Sequence, residues 1–228
     1  MFKTFIEIFR KEDLLRQAFN ESLIMLQECY EMFTKAVHSL RKSDVGEIGV
    51  NIYDKDKIVN KYEREVRRKV LTHLAVNAPK DLYPGLVLVI IVMDIERIGD
   101  YCKNIVELAL NHPRRLDVGK LKEEFEDIET KLIKRFEILI EAFKKSDVDL
   151  ARSLMQQHRA NTQRCDKMVY SLIREEISEY SSGDAVAIAM YARYLKRVSS
   201  HITNIASSIV NPFHRIGFKE KMPEEELD

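Results

Sequence analysis

At 228 residues the chain is long enough to bury one substantial core or two small ones, so folding requires neither a disulfide nor a structural metal. Thirty-seven basic residues balance 37 acidic ones, which removes the basic footprint of a nucleic-acid binder, and seven glycines with five prolines supply too few turns for a many-stranded sheet. Cys29, Cys102 and Cys165 are widely spaced with no CxxC pair, and read as reduced thiols.

Residues 1–13 read as an amphipathic N-terminal segment. Its stripe of Phe2, Phe5, Ile6 and Phe9 is interrupted by charges and lacks the apolar core of a secretion signal. Such a stripe would pack on a bundle, join a dimer contact or rest on a membrane surface. A first helix is predicted over Leu14–Leu40, with Leu15, Phe19, Leu26, Phe33, Val37 and Leu40 at helical spacing. Asp44 followed by Glu47 has the pattern of a capping box, which would start a second helix running to Ala75 and closed by Pro79. A third begins near Pro84 and ends at Leu110, before His112 and Pro113. Its apolar run from Gly85 to Met93 is about half of a membrane span and is followed at once by Asp94 and Glu96, so a buried helix is expected.

The remaining chain repeats this plan. Under a shift of 100, Ile95, Ile98, Cys102, Ile105 and Ala109 fall on Leu195, Val198, Ile202, Ile205 and Ile209, an alternating four-three spacing in both copies. Lys42-Ser43-Asp44-Val45 recurs as Lys145-Ser146-Asp147-Val148, displaced by 103. The fold expected is all-α: two tandem three-helix units, over residues 14–112 and 118–212, packed as antiparallel neighbours, with residues 215–228 as a disordered tail.

Chemistry concentrates on the third helix. Glu96, Asp100, Asn104 and Glu107 lie four, four and three residues apart, a ladder of oxygen-bearing side chains on one face. Asp54, Asp56, Asn60 and Glu63 on the second helix would confront it if the two helices are antiparallel. Oxygen donors without imidazole or thiolate suit hard cations such as magnesium, calcium, manganese or ferric iron. The alternative is an ordinary solvated face whose carboxylates are satisfied by Arg97 or Lys103. Gly99 costs a helix roughly 1 kcal/mol relative to alanine, which points to close packing or to the approach of a backbone or ligand.

The run Met93-Asp94-Ile95-Glu96-Arg97-Ile98-Gly99-Asp100, followed by Asn104-Ile105, resembles the signature of the PhoU family, and Ala192-Arg193-Tyr194-Leu195-Lys196-Arg197 is similar to its second signature. The resemblance covers nearly the whole chain. It implies two three-helix repeats in a cytoplasmic, dimeric, non-catalytic protein that restrains phosphate import by contacting a transporter or its sensor kinase, at the membrane only through that partner. It also implies metal clusters in some members, on E/D-x-x-x-D motifs. Carried over, that motif gives Glu96 and Asp100, with Asp56, Asn60 and Glu63 as partners. The second copy departs from it: Lys196 and Ser200 replace the two acids, and Arg159 and Gln163 stand where Asp56 and Asn60 would be. A second equivalent metal cluster is therefore not expected. Lys196 and Arg159 would be exposed or would hold an anion such as phosphate.

Two other classes compete with this reading. A ferritin-like metal oxidase would use Glu-x-x-His, and no histidine here has Glu three residues before it. A metal-free helical dimerisation module would dock a basic partner on its acidic face and weaken with salt. The chain carries no G-x-S-x-G, P-loop or G-x-G-x-x-G.

Overall fold

The computed structural model describes residues 13–44 and 51–220. They form six α-helices: α1 (Leu14–Lys42), α2 (Ile52–Asn77), α3 (Leu82–Asn111), α4 (Lys122–Lys145), α5 (Val148–Ile173) and α6 (Ser182–Val210). Single 3-10 turns precede α4 and follow α6, and no strand occurs among the described residues. The stripe Phe2 to Phe9, Glu47 and the chain beyond Glu220 lie outside them.

Short polar side chains cap the starts of α1, α2, α5 and α6, whereas α3 and α4 start without a side-chain cap. Asp13 accepts from the Arg16 amide at 2.9 Å and Ser181 from the Asp184 amide at 3.1 Å. The duplicated Ser-Asp turn behaves differently in its two copies. Asp147 caps α5, accepting from the amides of Asp149 and Leu150, both at 3.0 Å. Asp44 does not cap α2, contrary to the sequence expectation; its carboxylate accepts from the Arg115 amide at 3.4 Å, and Asn51 caps the helix through the Asp54 amide. Residues 45–50, between Asp44 and that cap, lie outside the described residues.

Within each triplet consecutive helices are antiparallel. Val59 meets Gly99 while Leu74 meets Gly85, and in the second triplet His158 meets Ser199 while Asp166 meets Lys196. The four-three stripes of α3 and α6 are buried along their whole length, from Ile95 to Ala109 and from Leu195 to Ile209. The triplets share one continuous core. They join through α3 against α6 and α1 against α4, where Phe33 and Phe136 pack with ring centroids 5.2 Å apart. Arg41 of α1 reaches Glu129 of α4 at 3.2 Å, and Glu129 also accepts from the Tyr191 hydroxyl of α6 at 2.8 Å. All three are buried, so this polar link is enclosed by the core it crosses.

Residues 215–220, expected to belong to a disordered tail, are pinned to the second triplet. Asn211 donates to the carbonyls of Arg215 and Phe218, the Gly217 amide donates to Ser207 at 2.7 Å, and Glu220 accepts both arms of Arg152. Gly217 has φ +87°, the left-handed conformation this return needs.

Candidate functional site

The antiparallel pairing of α2 and α3 brings Asp56 and Glu63 near Glu96 and Asp100, with Asn60 bonded to Asp56, while Asp54, expected on the same face, is exposed and pairs with Lys57. The face is nevertheless not an open acidic ladder. The Lys103 ammonium donates to Asp100 Oδ1 at 2.8 Å and to Asp56 Oδ1 at 3.0 Å, bridging the two helices. Asn60 Nδ2 donates to Asp56 Oδ2 at 3.1 Å, and Glu63 pairs with Arg67 at 2.7 Å. Glu107 accepts from the Tyr53 hydroxyl at 3.2 Å, while Asn104 is half-buried on the same helix.

Glu96 is the carboxyl these cations do not reach. Its partial burial, reinforced by Asp100, Glu63 and Asp56, raises its pKa to about 7. Partial burial opposes the charge on Lys103, but hydrogen bonds to Asp100 and Asp56 outweigh it and raise its pKa, so the ammonium stays charged. Behind the face lies Cys29, whose thiol burial pushes well up and whose Sγ donates to the Ile95 carbonyl. A Cβ on Gly99 would meet Val59 Cγ1 at 3.3 Å and Cys29 Sγ at 3.6 Å, so the glycine admits side chains of α1 and α2 rather than a backbone or a ligand.

The donors fit a hard cation in kind: four carboxylates and an amide, with no soft ligand. They do not fit one in placement, since among the described residues no three His, Cys, Asp or Glu side chains gather closely enough to hold a metal ion. Lys103 neutralises Asp56 and Asp100 instead, the alternative to a metal that its position in the sequence allowed.

In the second triplet Lys196 donates to Asp166 at 2.6 Å and Arg193 does so at 3.0 Å. Asp166 occupies the position of Glu63 under the 103 shift, so the acid is kept there while the position of Glu96 turns basic. Ser200 bonds only its own helix, Gln163 is exposed, and Arg159 is exposed with no ion pair among the described residues. Sequence reasoning missed two buried groups near this region. Asp94 accepts from His201 and Asn204 across the junction of the triplets, and Arg135 is buried between α5 and α6. An Asp at the head of the signature was the available signal for the first; nothing local marks the second.

A duplicated antiparallel helical triplet, with its polar chemistry on helix faces and at the junction of the copies, defines an all-α tandem-repeat protein. The chain belongs to the PhoU family: the PhoU domain matches it twice, over residues 23–109 and 125–209. It is 23% identical to the phosphate-specific transport system accessory protein PhoU homolog 1 of Thermotoga maritima, over 88% of this chain and 86% of that one. It is 26% identical to the Pseudomonas aeruginosa PhoU homolog, over 77% and 73% of the respective chains. The crystal structure of PhoU from P. aeruginosa superposes with a TM-score of 0.77 at 23% identity, covering 86% of this chain and 95% of that one. PhoU from Streptococcus pneumoniae superposes with a TM-score of 0.72 at 20% identity, covering 86% and 92%. No described helix is long and apolar enough to cross a membrane.

Proposed function

We propose that the protein regulates phosphate uptake, as a cytoplasmic homodimer that contacts a phosphate transporter or its sensor kinase and catalyses no reaction. The observation that carries this reading is the double match of both triplets to one domain, together with relatives named as accessory proteins of a phosphate-specific transport system. The helices carry charged side chains of both signs on their exposed faces, which suit protein contact and give it salt dependence. Removal of the gene should change phosphate uptake and accumulation, and crosslinked capture from phosphate-rich and phosphate-poor cells should recover the transporter or kinase in one condition more than the other. Unchanged phosphate handling in the deletion strain would rule the reading out.

The acidic face of α2 and α3 is proposed as the place where a hard divalent or ferric ion would enter. To hold it, Glu96, Asp100, Asp56, Asn60 and Glu63, with Asn104 and Glu107 further along the ladder, would have to draw closer together than they stand in the structure, with Lys103 swung away. Asp100→Lys should then abolish metal content, by elemental analysis of the purified protein, with the helical fold intact. A metal-free reading is favoured by one observation, the bridge from Lys103 to Asp56 and Asp100, which already supplies the cation. Under it, metal content is low and equal in both proteins, and the face acts by docking a basic partner.

A further inference from the structure

A cavity of about 370 Å³ lies between α5, α6 and the C-terminal return, where Arg159 stands in place of the first triplet's Asp56. Arg152, His158, Arg159, Thr203 and Lys219 line it, with Glu220 at its rim. Arg159 and Lys219 are exposed and make no ion pair among the described residues. Behind the wall sits Arg135, 1% exposed. Its guanidinium donates to the Leu154 carbonyl at 2.9 Å and, at 2.8 Å, to Oγ1 of Thr203, a residue of the cavity lining. Its Nε has no partner, and no carboxylate pairs with it among the described residues. A buried cation without an anion is costly, and an anion placed one side chain away would offset that cost.

The rim already shows what these groups accept. Arg152 grips Glu220 with two parallel bonds, Nε to Oε2 at 2.7 Å and Nη2 to Oε1 at 2.9 Å, the fork geometry that guanidinium offers to any planar or tetrahedral oxyanion. His158 adds a neutral ring to the lining: burial, with Arg135 and Lys196 nearby, holds its pKa at about 4. Met155 and Phe218 give the rest of the wall an apolar part.

The geometry points to a binding site for a phosphoryl dianion, inorganic phosphate or a phosphomonoester, which displaces Glu220 from Arg152 and compensates Arg135. The choice of phosphate among oxyanions rests on the function proposed above; the site rests on the cavity and the uncompensated arginine. Calorimetric titration of the full chain with inorganic phosphate, a sugar phosphate and sulfate tests it. At least one phosphoryl ligand should saturate, Glu220→Gln should tighten it severalfold, and the exposed pair R159E/K219E should weaken it about tenfold or more with an unchanged circular dichroism spectrum. The sugar phosphate binding better than phosphate assigns the apolar wall to its organic part, and the reverse order assigns the site to the free ion. No saturation by either ligand in wild type and Glu220→Gln, or equal binding by R159E/K219E, overturns the site. Sulfate binding as tightly as phosphate overturns the phosphoryl choice. Phosphate binding with unaltered uptake in the deletion strain would leave the site standing and remove the regulatory function instead.

Discussion

Asp94 Oδ1 and His201 Nδ1 lie 2.7 Å apart across the junction of the two triplets, both side chains buried. Asp94 heads the signature run of α3, and His201 sits on α6 with its ring 5.8 Å from that of Tyr101. The contact therefore fastens the copies to each other and adds nothing within either one. Asp94→Ala leaves His201 and Asn204 without their acceptor in a place that also denies His201 Nε2 a partner. The expected loss is about 1–3 kcal/mol, the cost of a buried polar group left unsatisfied. Urea denaturation of Asp94→Ala, His201→Ala and the double variant measures it, and strict additivity of the two single losses would show that the pair is not coupled.

Lys103→Met separates the two readings of the acidic face. Without the ammonium, Asp56 and Asp100 are left beside Glu96 with their mutual repulsion unscreened. The variant should lose about 1 kcal/mol or more in the presence of a chelator, in the range of a charge-assisted hydrogen bond. If the face accepts a hard cation, millimolar magnesium, calcium or manganese restores the lost stability in the variant more than it stabilises the wild type. Thermal unfolding midpoints insensitive to all three ions would assign the face to protein contact alone.

The fold was legible because its determinants are local and periodic. The stripe from Ile95 to Ala109 repeats as Leu195 to Ile209, and burial tracks that pattern residue by residue. The acidic face was legible in part for the same reason, since residues four apart share a helix face; which way that face turns is set by packing, and Asp54 stays outside the contact. Its neutralisation was only half legible. Lys103 lies three residues from Asp100, which sequence shows, but its second bond crosses to Asp56, 47 residues away. Asp94 with His201, Arg41 with Glu129, and Arg135 with Thr203 are separated by 107, 88 and 68 residues, and no periodicity encodes such meetings. The start of α2 differs from the expected one because a capping pattern states only what a side chain is able to accept, and Asn51, further along the chain, offers the Asp54 amide the same chemistry as an Asp cap.

Two titrating groups, one in each triplet, should give opposite slopes of stability against pH. Glu96 has its folded pKa raised to about 7 from 4.5, by burial first and neighbouring carboxylates second. The folded state then holds the proton more tightly, so this contribution is complete below about pH 4.5 and is lost as pH rises toward 7. His158 has its folded pKa lowered to about 4 from 6.5, by burial first and then Arg135 and Lys196. Its contribution is complete above about pH 6.5 and is lost as pH falls toward 4. Wild-type stability will show little of either, because the windows overlap. Glu96→Gln should gain on the wild type as pH rises through its window, and the wild type should lose ground to His158→Gln as pH falls through the other. Urea midpoints measured with chelator present at half-unit intervals decide it, and parallel curves for all three proteins would contradict both assignments.

Gly99 offers the sharpest test of how tightly α1, α2 and α3 meet beneath the acidic face. Alanine there gains roughly 1 kcal/mol of helix propensity but places its methyl 3.3 Å from Val59 Cγ1, a contact relieved by a shift of a few tenths of an ångström. The two effects are of similar size, so Gly99→Ala should change stability by no more than about 1 kcal/mol. Leucine cannot be accommodated in that way, because Val59, Cys29 and Met32 converge on the site from two helices and all are fully buried. Overpacking of that kind costs about 1–3 kcal/mol, and the strain falls on the spacing of α2 from α3. That spacing sets the bridge from Lys103 to Asp56, so Gly99→Leu should also reduce the effect of a second substitution, Lys103→Met, measured as a double-mutant cycle. A Gly99→Leu protein as stable as the wild type, with the Lys103 loss undiminished, would mean that the helices are free to separate and that the acidic face is not held at a fixed width.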